Sequence, residues 1–250
     1  MAVDQAIAEY ASATGTAVVR IYEWSEPTLS LGYFQRIADK ALDPRLDRLP
    51  CVRRSTGGGA IVHDRELTYS MAVPTERAKG GDLGLYGSVH RRLCRWLNEG
   101  GWEVSFYGDR SPSLSESVGL NGDATSEGEG SRASEPFLCF ERRSEFDLID
   151  HGFKVLGSAQ RRVGRSILQH GSLLLKASQA APQLHGLWDV APALERKWDL
   201  EPSRIAKLLV ECLSEDGWRQ EPNGELPDLT ERTEEILATS FGDEQWTRRR

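Results

Sequence analysis

The chain has 250 residues, is 39% hydrophobic and carries a formal net charge of −7, enough for one large domain with its own core and a balance that argues against broad nucleic-acid binding. No apolar run approaches the ~20 residues of a membrane span. The four cysteines (Cys51, Cys94, Cys139, Cys212) form no Cys-x-x-Cys pair, which argues against zinc and disulfide frameworks and for a reducing compartment. Residues 1–5 lack the basic-then-apolar pattern of a secretory signal, so a cytoplasmic location is expected.

Residues 2–14 read as a helix with Val3, Ile7, Tyr10 and Ala11 on one face. Residues 17–24, rich in β-branched and aromatic side chains, read as a strand broken by Pro27, and the alternating residues 28–32 as a second. A short helix is expected over 35–42, ending before Pro44. Strands over 51–54 and 60–63 flank Gly57-Gly58-Gly59, and 67–73 continues the sheet to Pro74. Leu85, Val89, Leu93 and Trp96 or Leu97 recur at helical spacing over 84–98, and Gly100-Gly101 closes that helix. Residues 102–106 return as a strand.

Residues 108–135 are dominated by Gly, Ser, Glu, Asp and Pro, too few apolar groups to offset the entropy of ordering, and read as a mobile insertion within one domain. Residues 145–149 and 153–156 flank Asp150-His151-Gly152 as a hairpin, and 166–175 form a strand interrupted at Gly171. The tail from about 180 to 250 reads as helical. Ile205, Leu208, Leu209, Cys212 and Leu213 share one face of 202–215, and a weaker helix covers 228–240. The order predicts an α+β fold, a mainly antiparallel sheet with helices packed on it.

Chemistry concentrates in a few stretches. Arg53-Arg54-Ser55-Thr56-Gly57-Gly58-Gly59 removes every Cβ at one place beside two cations, and an apolar run then leads to His63. Such a run is a generous hairpin turn, or a backbone laid against an acyl chain with a polar head or a phosphate. Gly157-Ser158-Ala159 is a second small-residue run. Lys154 lies in an apolar strand, where a lysine faces solvent or serves a site. Cys139 is an inert small hydrophobe, or a nucleophile if a cation such as Lys154 lowers its pKa. His63 and His170 each have a structural reading as well. Between Cys139 and Lys176, seven Lys/Arg against four Asp/Glu give a local net of +3, which suits an acidic partner.

Taken together, Arg53-Arg54-x-Thr56-Gly57-Gly58-Gly59-Ala60-x-x-His63, Lys154-x-x-Gly157-Ser158-Ala159-Gln160-x-Arg162 and Leu168-Gln169-His170-Gly171-Ser172 resemble the lipoate-protein ligase/octanoyltransferase family. Residues 1–6 and Trp24-x-x-Pro27-x-Leu29-Ser30-Leu31-Gly32 resemble its opening helix and early strand. The resemblance implies the biotin/lipoate ligase catalytic fold, a mixed sheet flanked by helices. It implies a substrate pocket between residues 53–59 and residues 154–160, with an apolar tunnel for the acyl chain.

In that reading Lys154 contacts the acyl carbonyl. The substrate-binding residues are Arg53, Arg54, Thr56, Gly57, Gly58, Gly59, His63, Gly157, Ser158, Ala159, Gln160, His170 and Gly171. Cys139-Phe140 is similar to the nucleophile segment of cysteine-dependent LipM-type octanoyltransferases, although Glu141-Arg142-Arg143-Ser144 stands where that branch usually has a Pro-Ser pair. The implied reaction moves an octanoyl or lipoyl group from an acyl carrier protein thioester, through Cys139, to the lysine of a lipoyl domain. The acceptors would be a glycine cleavage H protein or dehydrogenase E2 subunits, and neither cofactor nor metal is required. Arg142, Arg143, Arg161, Arg162 and Arg165 would face the carrier. The alternatives are an ATP- and Mg-dependent lipoate ligase, and a binding module without turnover.

Overall fold

The computed structural model describes residues 1–78, 81–109, 135–195, 201–215 and 228–249. Helix α1 (Ala2–Thr14) leads to strands β1 (Val18–Tyr22) and β2 (Thr28–Leu31). The predicted helix at 35–42 is a 3-10 turn (Ile37–Leu42), followed by α2 (Pro44–Asp47), which Asp43 caps by accepting from the Arg45 amide. Strands β3 (Cys51–Arg53), β4 (Ile61–His63) and β5 (Glu66–Pro74) precede α3 (Gly81–Glu99). Strands β6 (Val104–Phe106), β7 (Leu148–Asp150), β8 (Phe153–Val163) and β9 (Ser166–Leu174) follow. The tail holds α4 (Leu187–Val190), α5 (Pro192–Glu195), α6 (Pro202–Glu215), α7 (Thr230–Ile236) and α8 (Glu244–Arg248).

Six strands form one antiparallel sheet in the order β1-β5-β9-β8-β7-β6. Three form a small mixed sheet, β3-β2-β4, in which β2 pairs parallel with β3 and antiparallel with β4. The fold class agrees with the sequence reading. The glycine run is not a hairpin, however, because β2 lies between the strands that flank it. β9 also runs unbroken through Gly171, which pairs with Tyr69 and Ser158. The expected β7–β8 hairpin is present, turning on His151 and Gly152, both at positive φ. The insertion predicted at 108–135 falls almost wholly outside the described residues.

The large sheet is buried on both faces. Leu67, Tyr69, Met71 and Val73 of β5 meet Leu85, Val89, Leu93 and Leu97 of α3 and Ile205, Leu208 and Leu209 of α6 in the main core. Each such side chain removed from water contributes ~1.5–3 kcal/mol. The alternate residues of β5 face the other way. Ala72 packs with Ile7, Ala8 and Ala11 of α1, Ser70 donates to Asp4 of the same helix, and Glu66 and Thr68 lie buried beside His63 of the small sheet. A strand with polar side chains buried along one face must partner them there.

Candidate active site

The small sheet and its glycine loop close over that polar face and leave a narrow cleft between them. Arg54, Gly57, Gly58 and Cys139 line it on one side, and Gly157, Ser158, Ala159, His170 and Gly171 on the other. His63 also borders it, and most of its accessible wall is apolar.

Cys139 is held by backbone. The Ala60 amide donates to the Phe137 carbonyl at 2.9 Å, and the Cys139 amide donates to the Ala60 carbonyl at 2.7 Å. Leu138 and Phe140 on either side are buried. The two segments come this close because Gly59 lacks a side chain: a Cβ there would lie 2.8 Å from the Cys139 nitrogen and 2.9 Å from its Cα.

Lys154 does not face solvent. Its side chain is 4% exposed, and Nζ lies 2.8 Å from Asp147 Oδ2, 3.2 Å from the Cys139 carbonyl oxygen and 3.8 Å from Cys139 Sγ. A bulge aims it there. Ile149 pairs with Lys154 but Leu148 pairs with Leu156, leaving Val155 as an extra residue that swaps the faces of β8. Lys154 therefore shares a face with Gly157, where a Cβ would stand 2.5 Å from its Cε. Asp147 is fixed in turn by the Ser144 amide, which donates to Oδ2 at 2.7 Å.

The histidines orient the loop. Arg54 donates through NH1 to the Ser30 hydroxyl at 2.7 Å, which leaves that hydroxyl's proton for His63 Nε2 at 2.7 Å. His63 Nδ1–H then donates to Glu66 Oε1 at 2.8 Å, and the ring stacks on Trp24 with centroids 4.2 Å apart. Glu66 also accepts from Thr68 and Ser172. Arg54 NH2 donates to the Gly57 and Gly59 carbonyls at 3.2 and 2.8 Å, so this cation shapes the glycine loop from beneath. Burial pulls its pKa down to about 10, with neighbouring Cys139 opposing the shift. His170 Nε2 lies 2.7 Å from the Thr56 hydroxyl, and its Nδ1 lies 3.8 Å from Asp4 Oδ2. Burial lowers the His170 pKa, and Asp4 works against it.

Residues 1–198 match the family model for the lipoyl protein ligase A/B catalytic domain. The chain belongs to that family. Over 182 residues it is 35% identical to octanoyltransferase LipM of Carboxydothermus hydrogenoformans, a match covering 70% of this chain and 60% of that protein. It is 31% identical over 255 residues to octanoyltransferase LipM of Kyrpidia tusciae, covering 97% of this chain and 81% of that protein. The structure resembles that of a bipartite lipoate protein ligase with its E2 lipoyl domain from Thermoplasma acidophilum, with a TM-score of 0.60 at 17% identity, covering 99% of this chain and 89% of that one.

Within this lipoyl protein ligase catalytic domain, some expected site residues lie away from the cleft. Arg53 is fully buried elsewhere. Its NH1 donates to the carbonyls of Gly32, Tyr33 and Gln35, and its Nε and NH2 donate to the carbonyl of Thr247, while Trp246 Nε1 donates to the Arg53 carbonyl. It ties the tail to the small sheet. Gln160 falls on the α3 face of β8, opposite Ala159, and donates to Gln169 Oε1 at 2.7 Å. Thr56 and Gly59 stand behind the wall, as partners of His170 and Cys139.

The five arginines do not form one face. Arg161 donates to the Ser55 carbonyl, and Arg142 to the Pro136 carbonyl and Glu135, both beside the glycine loop. Arg143 is folded onto the carbonyls of Phe140, Arg142 and Gly152. Arg165 reaches α1 at Ser12, and Arg162 follows Arg161 on a strand, where successive side chains point to opposite faces. Among the described residues no cluster of His, Cys, Asp and Glu is placed to hold a metal, and no helix is long and apolar enough to cross a membrane.

Sequence reading missed Asp147, Glu66, Asp4 and His90. Two of them left a signal. Asp4 falls on the apolar stripe with Ile7, Ala8 and Ala11, and His90 beside Val89, Leu93 and Leu97, so both were polar groups on buried faces. Asp4 accepts from Arg20, Tyr22 and Ser70. Burial works to raise its pKa, but His170, the N-terminal amine and Arg20 hold it well below the usual carboxylate range.

Proposed function

We propose that the protein is an octanoyltransferase that passes an octanoyl group from a carrier-protein thioester to the lysine of a lipoyl domain, with Cys139 as the nucleophile. The observation that carries this reading is the 3.8 Å approach of Lys154 Nζ to Cys139 Sγ at the wall of an apolar cleft. At that distance a fixed ammonium stands beside the sulfur and beside any acyl carbonyl the sulfur attacks. The names of the relatives, LipM octanoyltransferases, point the same way.

In the first step the Cys139 thiolate attacks the thioester carbonyl, a new carbon–sulfur bond forms, and the donor thiolate leaves and takes up a proton. Lys154 stands beside the carbonyl oxygen on which negative charge develops. In the second step the amine of the acceptor lysine attacks the acyl-enzyme. The carbon–nitrogen bond forms, the Cys139 thiolate leaves, and the amine's proton passes to solvent. Asp147 keeps Lys154 paired and in place throughout. Thioester-to-amide transfer runs downhill, so the route consumes no ATP. Arg142 and Arg161, beside the glycine loop, are the basic groups best placed to meet an acidic carrier.

The test is intact-protein mass spectrometry after mixing with octanoyl-acyl carrier protein, followed by addition of an apo lipoyl domain. An octanoyl adduct is expected on the wild type, absent from Cys139→Ala, and discharged by the lipoyl domain. Full transfer by Cys139→Ala, or transfer only from octanoate plus ATP, would rule the cysteine route out.

A further inference from the structure

The β7–β8 ladder ends at Leu148↔Leu156. Beyond that pair the turn carrying Phe146 and Asp147 and the stretch Gly157-Ser158 are not joined by the ladder, yet together they cradle Lys154. Asp147 holds its ammonium at 2.8 Å, and Gly157 is the wall its Cε lies against. A change in the gap between these two segments moves the ammonium relative to Cys139 Sγ.

Helix α3 spans that gap with one ring. His90 is fully buried. Its Nδ1 lies 2.7 Å from the Phe146 carbonyl, which can only accept, so Nδ1 carries the proton. Its Nε2 lies 2.7 Å from the Ser158 hydroxyl and accepts from it. The Tyr69 hydroxyl, 2.6 Å from Ser158 Oγ and itself accepting from Gln169 Nε2 at 2.9 Å, completes a chain of hydrogen bonds running one way toward His90. One turn earlier on α3, the Tyr86 hydroxyl donates to the Ser158 carbonyl at 3.1 Å and accepts from the Ser158 amide at 3.2 Å, while the Tyr86 ring packs on His90. His90 thus supplies the cross-link that the interrupted ladder lacks, and Tyr86 braces its Ser158 end.

We propose that His90 is a positioning residue for Lys154: by tying the Phe146–Asp147 turn to Gly157-Ser158 it fixes where the ammonium stands against Cys139. This rests on the reading of Cys139 and Lys154 given above. His90 touches neither donor nor acceptor, so its effect passes through Lys154.

The experiment is a double-mutant cycle on the rate of Cys139 acylation by octanoyl-acyl carrier protein, followed by mass spectrometry. In His90→Leu the maximal rate is expected to fall about tenfold, with the half-saturating donor concentration moving less than about twofold. His90→Gln, whose amide can donate to Phe146 and accept from Ser158, recovers most of that rate. In a Lys154→Met background, His90→Leu costs less than about twofold, because the group it positions is gone. Effects that multiply in the double variant would overturn the proposal, as would a His90→Gln no better than His90→Leu. Should His90→Leu fail to fold by circular dichroism, Ser158→Ala cuts one end of the tie without disturbing α3 and takes its place in the same cycle. Failure of the underlying reading looks different: no adduct would form on wild-type Cys139, or Lys154→Met would acylate at the full rate. Either of these also overturns the proposal.

Discussion

The amide of Cys139 donates a 2.7 Å hydrogen bond to the carbonyl of Ala60, the residue that closes the glycine run. The nucleophile proposed for this chain therefore takes its position from the loop opposite. Gly59 is what permits the approach: besides the movable Arg142 Nε, a Cβ there would strike the backbone nitrogen and Cα of Cys139, which cannot swing aside as a flexible side chain can. Gly59→Ala is expected to lower kcat/KM by at least about tenfold through misplacement of the thiol. The melting temperature should drop by only a few degrees, since the main core lies on the other face of the sheet. Steady-state kinetics beside a thermal melt checks this; unchanged kcat/KM would show that the loop relaxes freely.

Asp147 and Lys154 form a buried ion pair, with side chains 2% and 4% exposed. Removing one partner strands the other charge away from water. Asp147→Ala is expected to cost ~3–5 kcal/mol of stability by urea unfolding, and the double variant Asp147→Ala/Lys154→Met to recover much of it. Both should acylate more slowly than wild type while keeping a measurable rate, the single variant because the ammonium is no longer held, the double because it is absent. Additive stability losses would show that the pair is not coupled.

Stability should also fall on acidification in a definite window. Burial, helped by nearby Lys154 and opposed by the Phe146 hydrogen bond, lowers His90 from 6.5 to about 4. Between these values the unfolded chain binds a proton that the folded one refuses, so stability present above about pH 6.5 is lost as pH falls toward 4, by roughly 3 kcal/mol for this group. His170 shifts in the same direction. Below that range Asp4, held low in the fold, adds a further loss as unfolded carboxylates protonate. Urea midpoints from pH 7 to 4 should decline steadily, and His90→Gln should flatten the decline relative to its own value at pH 7. An equal slope in that variant would place the proton uptake elsewhere.

Much of the architecture was legible because the signals were local. Helical spacing of Leu85, Val89, Leu93 and Leu97 marked α3, and Asp150-His151-Gly152 marked the hairpin turn that His151 and Gly152 make at positive φ. Strand order was not legible: β2 inserts between β3 and β4, and nothing in the adjacency of two apolar runs across three glycines excludes a hairpin. The unbroken passage of β9 through Gly171 was hidden for the opposite reason, since a glycine that looks like a break is held in register by neighbours on both sides.

The site divides along the same line. By itself the sequence determined the kinds of groups present: a run without Cβ atoms flanked by arginines, a lysine in an apolar strand, a cysteine among apolar neighbours, and their order along the chain. Only the tertiary structure decided where they point. One extra residue, Val155, turns Lys154 from the α3 face to the face of Gly157 and Cys139. Adjacent arginines part company, Arg54 beneath the glycine loop and Arg53 into the clamp on Thr247. A strand's side chains alternate with a period of two, so a single-residue bulge or a change of neighbour reverses a direction that composition and spacing leave open.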